Sequence, residues 1–135
     1  MRIALAIRSH VFVDEQNVPP EEEIDAHDLT DAEAVHALVR DDAGVPLGAG
    51  RYYRLDANSV QMGRMAIEID ARGRGAGTQL LATLIADARA RGFSRVHLHA
   101  QVHAREFYRR AGFTDDGTPL WDAGILHQPM SKALA

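Results

Sequence analysis

Three groups of residues in this sequence have the types and the spacing that chemistry needs. The first is the stretch ARGRGAGTQLLATL, residues 71–84, where two arginines and three glycines precede an apolar run of helical character. The second is the pair Phe107-Tyr108, followed closely by Gly112-Phe113. The third is a set of histidines in the last third of the chain, of which His97 and His99 alternate along an apolar run and His127 lies near the C-terminus.

The glycine-rich stretch has the properties of an anion-binding loop. A helix start exposes unpaired N–H groups and the positive end of the helix dipole, and glycines allow an anion to approach the backbone closely. Arg72 and Arg74 add positive charge that suits phosphate. A Walker loop requires a Gly-Lys-Ser/Thr ending, which is missing, and the glycine spacing of a dinucleotide fingerprint also fails. An Arg-x-x-Gly-x-Gly pattern remains, and its alternative interpretation is an ordinary glycine-rich helix cap.

Composition narrows the class of protein. The 135 residues predict one domain, 1–135, and the lack of cysteine excludes disulfides, thiolate metal sites and a thiol nucleophile. We expect no metal site, because no HExxH motif or cysteine cluster accompanies the histidines. Eleven acidic residues lie between Asp14 and Asp42, which disfavours nucleic acid and favours cationic amines, although a solvated surface explains them equally. With no apolar stretch of about 20 residues and no convincing signal peptide, we expect no membrane contact and a cytoplasmic location.

Hydrophobic periodicity and turn residues give the order of the elements. The pattern predicts an α/β protein with a mixed sheet, in which antiparallel hairpins precede a crossover helix that joins two parallel strands. We predict helices over Ile3–Phe12, after the glycine loop up to Gly92-Phe93, and over His103–Ala111, and strands over Ala34–Arg40, Ala49–Leu55, Val60–Ile67, Arg95–Gln101 and within Pro119–Met130.

These motifs together resemble the GNAT superfamily of acetyl-CoA-dependent N-acetyltransferases. The Arg72, Gly75, Gly77 pattern is similar to the family's pyrophosphate-binding signature, and QVHAREFYRRAGF is similar to its tyrosine-bearing helix. The phrases VFVDEQ, AQVHAREFY and GILHQPM resemble the ElaA-like branch, so that the resemblance covers nearly the whole chain. It implies the GNAT fold, with a mixed central sheet flanked by helices and a V-shaped splay between two central parallel strands. Family members usually open with a strand before the first helix, which we expect here to be absent, truncated or upstream of Met1.

The resemblance also implies where acetyl-CoA binds. The co-substrate would lie between the strands that end at Ile67 and Gln101. Its pantetheine arm would bond to the main chain of Met65, Ala66 and Ile67 and contact Gln101. Its pyrophosphate would rest on N–H groups of the loop residues Arg72, Gly73, Arg74, Gly75, Ala76, Gly77 and Thr78.

The implied reaction is direct attack of a neutral primary amine on the thioester. By its position in the motif Tyr108 would be the acid that protonates the leaving thiolate, whereas its alternative role is packing. The base is open among His99, Glu15, His127 and Glu68, or a chain of water molecules. The competing hypothesis is a non-catalytic acyl-CoA-binding sensor or scaffold. The acceptor, a small molecule or a peptide amine, is not specified, and an open sheet edge near Ala34 is compatible with a homodimer.

Overall fold

The computed structural model of the protein describes residues 6–8, 34–68, 72–73 and 75–134. Within these ranges most of the regular structure belongs to one sheet and the helices beside it. The elements are β1 (Ala34–Arg40), β2 (Pro46–Arg54), β3 (Ser59–Ile67), α1 (Ala76–Ala90), β4 (Arg95–Gln101), α2 (Arg105–Arg110), β5 (Thr114–Asp115), β6 (Leu120–Asp122) and β7 (Ile125–Ala133).

The sheet is mixed, with one parallel pair at its centre. The strand order is β1-β2-β3-β4-β7-β5, and β6 also pairs with β7. Strands β1, β2 and β3 form an antiparallel meander, β3 and β4 are parallel, and β7 is antiparallel to β4. Because the parallel pair is joined by α1, the predicted α/β architecture with a crossover helix is confirmed.

The two faces of the sheet are covered differently in the described part of the chain. Helix α1 buries an apolar stripe that includes Leu80 and Leu84 against one face, together with Tyr52, Met62 and Leu98 from three neighbouring strands. On the other face, Ile7 of a short helical segment packs against Ala49 and Ala66. Since side chains alternate along a strand, the residues between the core positions of β2, β3 and β4 point away from α1.

Both helices end with the same glycine–phenylalanine motif. The Phe93 N–H donates to the Ala88 carbonyl at 3.1 Å, and the Phe113 N–H donates to the Tyr108 carbonyl at 3.1 Å. These are the long-range bonds of Schellman motifs, and both phenylalanine side chains are buried. The ends predicted from Gly92-Phe93 and Gly112-Phe113 are therefore confirmed.

Some element bounds differ from the predicted ones for local reasons. Strand β2 begins at Pro46 and not at Ala49, because proline is tolerated as the first residue of a strand and Pro46 pairs with Arg40. Helix α2 begins at Arg105, since Val102–Ala104 form a 3₁₀ turn. The two-residue strand β5 is too short to have a periodicity of its own. Of the helix predicted over 3–12, residues 6–8 are helical and the others lie outside the described residues.

Candidate active site

A cleft opens where the central parallel strands separate. Strands β3 and β4 pair only from Ser59–Arg95 to Met62–Leu98, so beyond these residues the ladder between them stops. On its other edge β3 carries a bulge, since three steps from Gly63 to Ala66 match two steps on β2, and Arg64 there has φ 52°. A bulge bends its strand and strengthens the local twist. The predicted splay between the strands that end at Ile67 and Gln101 is confirmed.

The cleft is a cavity of about 900 Å³ that reaches from the glycine loop to strands β6 and β7. Five of the residues predicted to contact acetyl-CoA line it: Met65, Ile67, Arg72, Gly77 and Gln101. Tyr108 and His99 line it as well, so one cavity brings together most of the described members of the predicted site. Their roles remain predictions.

The remaining predicted residues lie beside the cavity or outside the described residues. The Ala66 side chain is buried against Ile7 and Ala49, so only its main chain is available to a ligand. Gly73, Gly75 and Thr78 are exposed and Ala76 is buried at the start of α1, and none of these four lines the cavity. Arg74 and Glu15 lie outside the part of the chain that the structure describes.

Among the described residues, no side chain caps the first N–H groups of α1. Gly75 is the N-cap residue in a left-handed conformation, with φ 80° and ψ 4°, and makes no side-chain capping bond. The Arg72 Nε donates to the Ile67 carbonyl at 3.1 Å, which ties the loop to the end of β3. A Cβ on Gly77 would stand 3.4 Å from the Phe107 ring, so α1 and α2 approach each other closely there.

Two aromatic rings pack edge-to-face against Tyr108. Its ring centroid lies 5.0 Å from that of Phe107 and 5.9 Å from that of Phe113, both in edge-to-face geometry. The side chain is 9% exposed, and burial raises the pKa of its hydroxyl to about 12. The phenol is therefore protonated at neutral pH, and Tyr108 is among the residues that line the cavity.

Two histidines face the cavity from neighbouring strands. His127 lies opposite Gln101 in the β4–β7 ladder, and His99 is two residues before Gln101 on the same face of β4. The His127 Nδ1 lies 2.8 Å from the Ile125 carbonyl, a geometry in which Nδ1 is the donor. In the neutral ring that leaves Nε2 as an acceptor. Burial, and then the neighbouring charge of His127, lower the pKa of His99, which favours its neutral form.

Several residues that line the cavity belong to none of the sequence motifs. Arg51 and Tyr53 of β2 line the cavity opposite their ladder partners Gly63 and Gln61 of β3. Asp122 of β6 lines the same cavity as His99 and His127. Strand alternation around the core residue Tyr52 would have placed Arg51 and Tyr53 on one face, but no motif marks them as functional.

Residues 6–8, 34–68, 72–73 and 75–134 show neither a cluster of metal ligands nor a membrane-spanning helix. No group of three or more histidine, aspartate or glutamate side chains there is arranged to hold a metal ion. No helix in those ranges is long and apolar enough to cross a membrane.

The model of the acetyltransferase (GNAT) domain family matches residues 10–134. The chain belongs to the GNAT acetyltransferase family. It is therefore an acyltransferase whose family uses acyl-CoA as donor and an amine as acceptor, and the interpretation as a non-catalytic sensor or scaffold has no support from this match.

Relatives of this GNAT chain cover almost its whole length. The uncharacterized N-acetyltransferase YjcF of Bacillus subtilis is 35% identical over 133 residues, which are 98% of this chain and 91% of that protein. The crystal structure of Escherichia coli ElaA is 31% identical, with a TM-score of 0.79 over 96% of this chain and 86% of that one. An acyl-CoA N-acyltransferase from Pseudomonas aeruginosa is 33% identical, with a TM-score of 0.81 over 96% and 87% of the two chains. The resemblance to the ElaA-like branch is confirmed.

Proposed function

We propose that this protein transfers an acetyl group from acetyl-CoA directly to a primary amine that is bound in the β3–β4 cleft. The observation that carries the proposal is the continuity of one cavity, about 900 Å³ in volume, from the glycine loop past Tyr108 to His99 and His127. The residues that line this cavity would bind the donor, supply the acid and supply the base. A transfer without a covalent enzyme intermediate agrees with the absence of cysteine from the sequence.

The donor side is built by main-chain groups. The N–H groups at the start of α1 would bind the pyrophosphate, because they present the positive end of the helix dipole and the N-cap residue, Gly75, has no side chain. The edge of β3 from Met65 to Ile67 has no ladder partner on β4, so its main chain is available to the pantetheine arm. Gln101 faces it from β4 and offers both a donor and an acceptor.

Tyr108 serves as the acid. As the amine nitrogen bonds to the acetyl carbon, the bond from carbon to sulfur breaks and negative charge develops on the sulfur. The Tyr108 hydroxyl, which burial keeps protonated at neutral pH, donates its hydrogen bond and then its proton to that sulfur. Its position is fixed by the rings of Phe107 and Phe113, which limits its freedom to turn away.

His127 serves as the base, with His99 beside it. The Ile125 carbonyl fixes the His127 tautomer that exposes Nε2, and Nε2 takes the proton that the attacking amine loses. The lowered pKa of His99 keeps that ring neutral, so it repels the imidazolium formed on His127 less than a charged ring would. The amine proton thus ends on His127 and the Tyr108 proton on coenzyme A, and solvent returns the enzyme to its starting state.

The test is release of free coenzyme A from acetyl-CoA in the presence of a panel of primary amines. With the best amine we expect Tyr108→Phe and His127→Gln each to lower kcat by about 100-fold, within the usual range for a lost acid or base. Neither substitution should change the affinity for acetyl-CoA measured by calorimetry.

His97→Gln is the matched control, because His97 lies on β4 beside Asp116, 3.6 Å away, and does not line the cavity. Its turnover should stay within about twofold of the native value. Native turnover in Tyr108→Phe or in His127→Gln would remove that residue from the mechanism. Binding of acetyl-CoA without coenzyme A release for any amine would refute the proposed activity.

A further inference from the structure

The wall of the cleft that faces away from α1 has a chemical character of its own. Tyr52 and Met62 belong to the core beneath α1, so their strand neighbours Arg51, Tyr53, Gln61 and Gly63 point to the other face of the sheet. All four line the cavity. The ladder pairs Arg51 with Gly63, so no side chain stands opposite the arginine on β3, and a Cβ at Gly63 would meet no described atom within 4 Å.

Arg51 is an unusual residue for such a wall. Its side chain is 3% exposed, and its guanidinium carbon lies 5.7 Å from the centre of the Tyr53 ring. Arg64 lines the same cavity one residue beyond Gly63, at the bulge of β3. Both arginines also make contacts within the protein. A guanidinium has five N–H donors arranged as a planar fork, so it binds a carboxylate through two parallel bonds while keeping other contacts.

The groups that would handle the amine line the cavity from the other side of the gap between β3 and β4. His99, His127 and Asp122 line it, with His127 oriented by its bond to the Ile125 carbonyl. Among the described lining residues Asp122 is the one carboxylate, against the three arginines 51, 64 and 72. Arg72 donates to the Ile67 carbonyl at the glycine loop, whereas Arg51 and Arg64 line the cavity from β2 and β3.

From this arrangement we propose that the acceptor carries a carboxylate close to its amine, and that Arg51, supported by Arg64, binds this carboxylate. Amino acids and the terminal residue of short peptides have this chemistry. The inference rests on the proposed function, and it names the substrate class of the same site. A diamine or polyamine would instead place a second positive charge beside two guanidiniums, where like charges repel.

The experiment uses amines in matched sets, each an amino acid with its amide and its decarboxylated amine, for example lysine, lysinamide and cadaverine. Coenzyme A release is measured with the whole chain at saturating acetyl-CoA. We expect kcat/KM for the best amino acid to exceed that of its amide and amine by at least about tenfold, as the loss of a charged hydrogen-bond pair implies. Arg51→Gln should remove this preference mainly through KM, and Arg51→Lys should restore part of it.

Arg54→Gln is the matched control, since Arg54 lies on the same strand, is exposed and does not line the cavity. Its preference should equal that of the native protein. Melting temperatures with and without coenzyme A verify that each variant is folded. If Arg51→Gln does not fold, Arg64→Gln and Arg51→Lys carry the test, each with an expected loss of preference for the carboxylate.

The outcomes separate this inference from the proposed function. Acetylation of cadaverine as fast as lysine, or a preference that survives in both arginine variants, overturns the carboxylate site while the acetyltransferase activity stands. If no amine is acetylated, the proposed function fails, and binding of N-acetyl-lysine to the coenzyme A complex is then measured by saturation-transfer NMR. Binding that Arg51→Gln abolishes supports the carboxylate site, and binding that is absent or unchanged overturns it.

Discussion

Replacing Gly75 by alanine tests the proposed binding role of the glycine loop separately from its effect on folding. Gly75 is the N-cap of α1 with φ 80°, and Gly92 follows the other end of the same helix with φ 90°. A Cβ at either position meets no described atom within 4 Å. The two substitutions therefore impose the same kind of backbone strain, but only the Gly75 methyl would stand beside the N–H groups proposed to bind pyrophosphate.

The magnitudes follow from the backbone angles. A left-handed conformation costs a non-glycine residue about 1–2 kcal/mol, and part of this is offset because alanine reduces the freedom of the unfolded chain. We expect a net loss of about 1 kcal/mol in the free energy of unfolding for either variant. With about 2.1 cal/mol/K of unfolding entropy per residue over 135 residues, that loss lowers Tm by about 3.5 °C.

Binding of acetyl-CoA, measured by calorimetry, should distinguish the variants. Gly75→Ala should weaken it by at least about tenfold, the effect of losing one or more hydrogen bonds to a charged phosphate. Gly92→Ala should bind like the native protein at a temperature where all three proteins are folded. Equal affinities for Gly75→Ala and the native protein would refute the assignment of this helix start to the pyrophosphate, and equal losses in both variants would show that strain alone weakens binding.

Two further predictions concern stability. Leu84→Ala should lower the free energy of unfolding by about 3 kcal/mol in urea titrations, because its side chain is 0% exposed beneath the sheet. The control Ala82→Ser, on the exposed side of α1, should change the free energy of unfolding by less than about 0.5 kcal/mol. A loss below about 1 kcal/mol for Leu84→Ala would contradict the described core. Because the pKa of His99 is lowered in the folded protein, the unfolded chain binds more protons than the folded one around and below pH 6.5. The contribution of His99 to the free energy of unfolding is therefore present above that pH and is lost as pH falls through the folded-state pKa. His99→Gln should reduce that slope of Tm against pH, and an unchanged slope would show that His99 does not cause it.

The features that the sequence predicted well are local ones. Gly92-Phe93 and Gly112-Phe113 end their helices because the Schellman bonds involve only residues five apart. The alternation of β4 placed His97, His99 and Gln101 on one face, and the burial of the residues between them agrees. The resemblance to the GNAT family added the splayed strands, which no local pattern contains.

The features that the sequence did not reveal depend on register between distant strands. His127 lies opposite Gln101 only because β7 pairs with β4 along its whole length, and nothing near either residue determines that pairing. The same holds for Arg51, whose ladder partner on β3 is Gly63, a residue without a side chain. An arginine on a strand is ordinarily exposed, so its 3% exposure could not be read from sequence.

Under the proposed function, the interrupted ladder between β3 and β4 would make the bound donor a structural component of the sheet. In the described part of the chain, the strand ends beyond Met62 and Leu98 are edges in the middle of a sheet, and unpaired edges invite association with other chains. A pantetheine arm that occupies the gap would cover one of them. A donor at about 100 times its Kd stabilises the folded state by about 2.7 kcal/mol. The cellular supply of acetyl-CoA would then set the lifetime and the solubility of this protein as well as its rate of turnover.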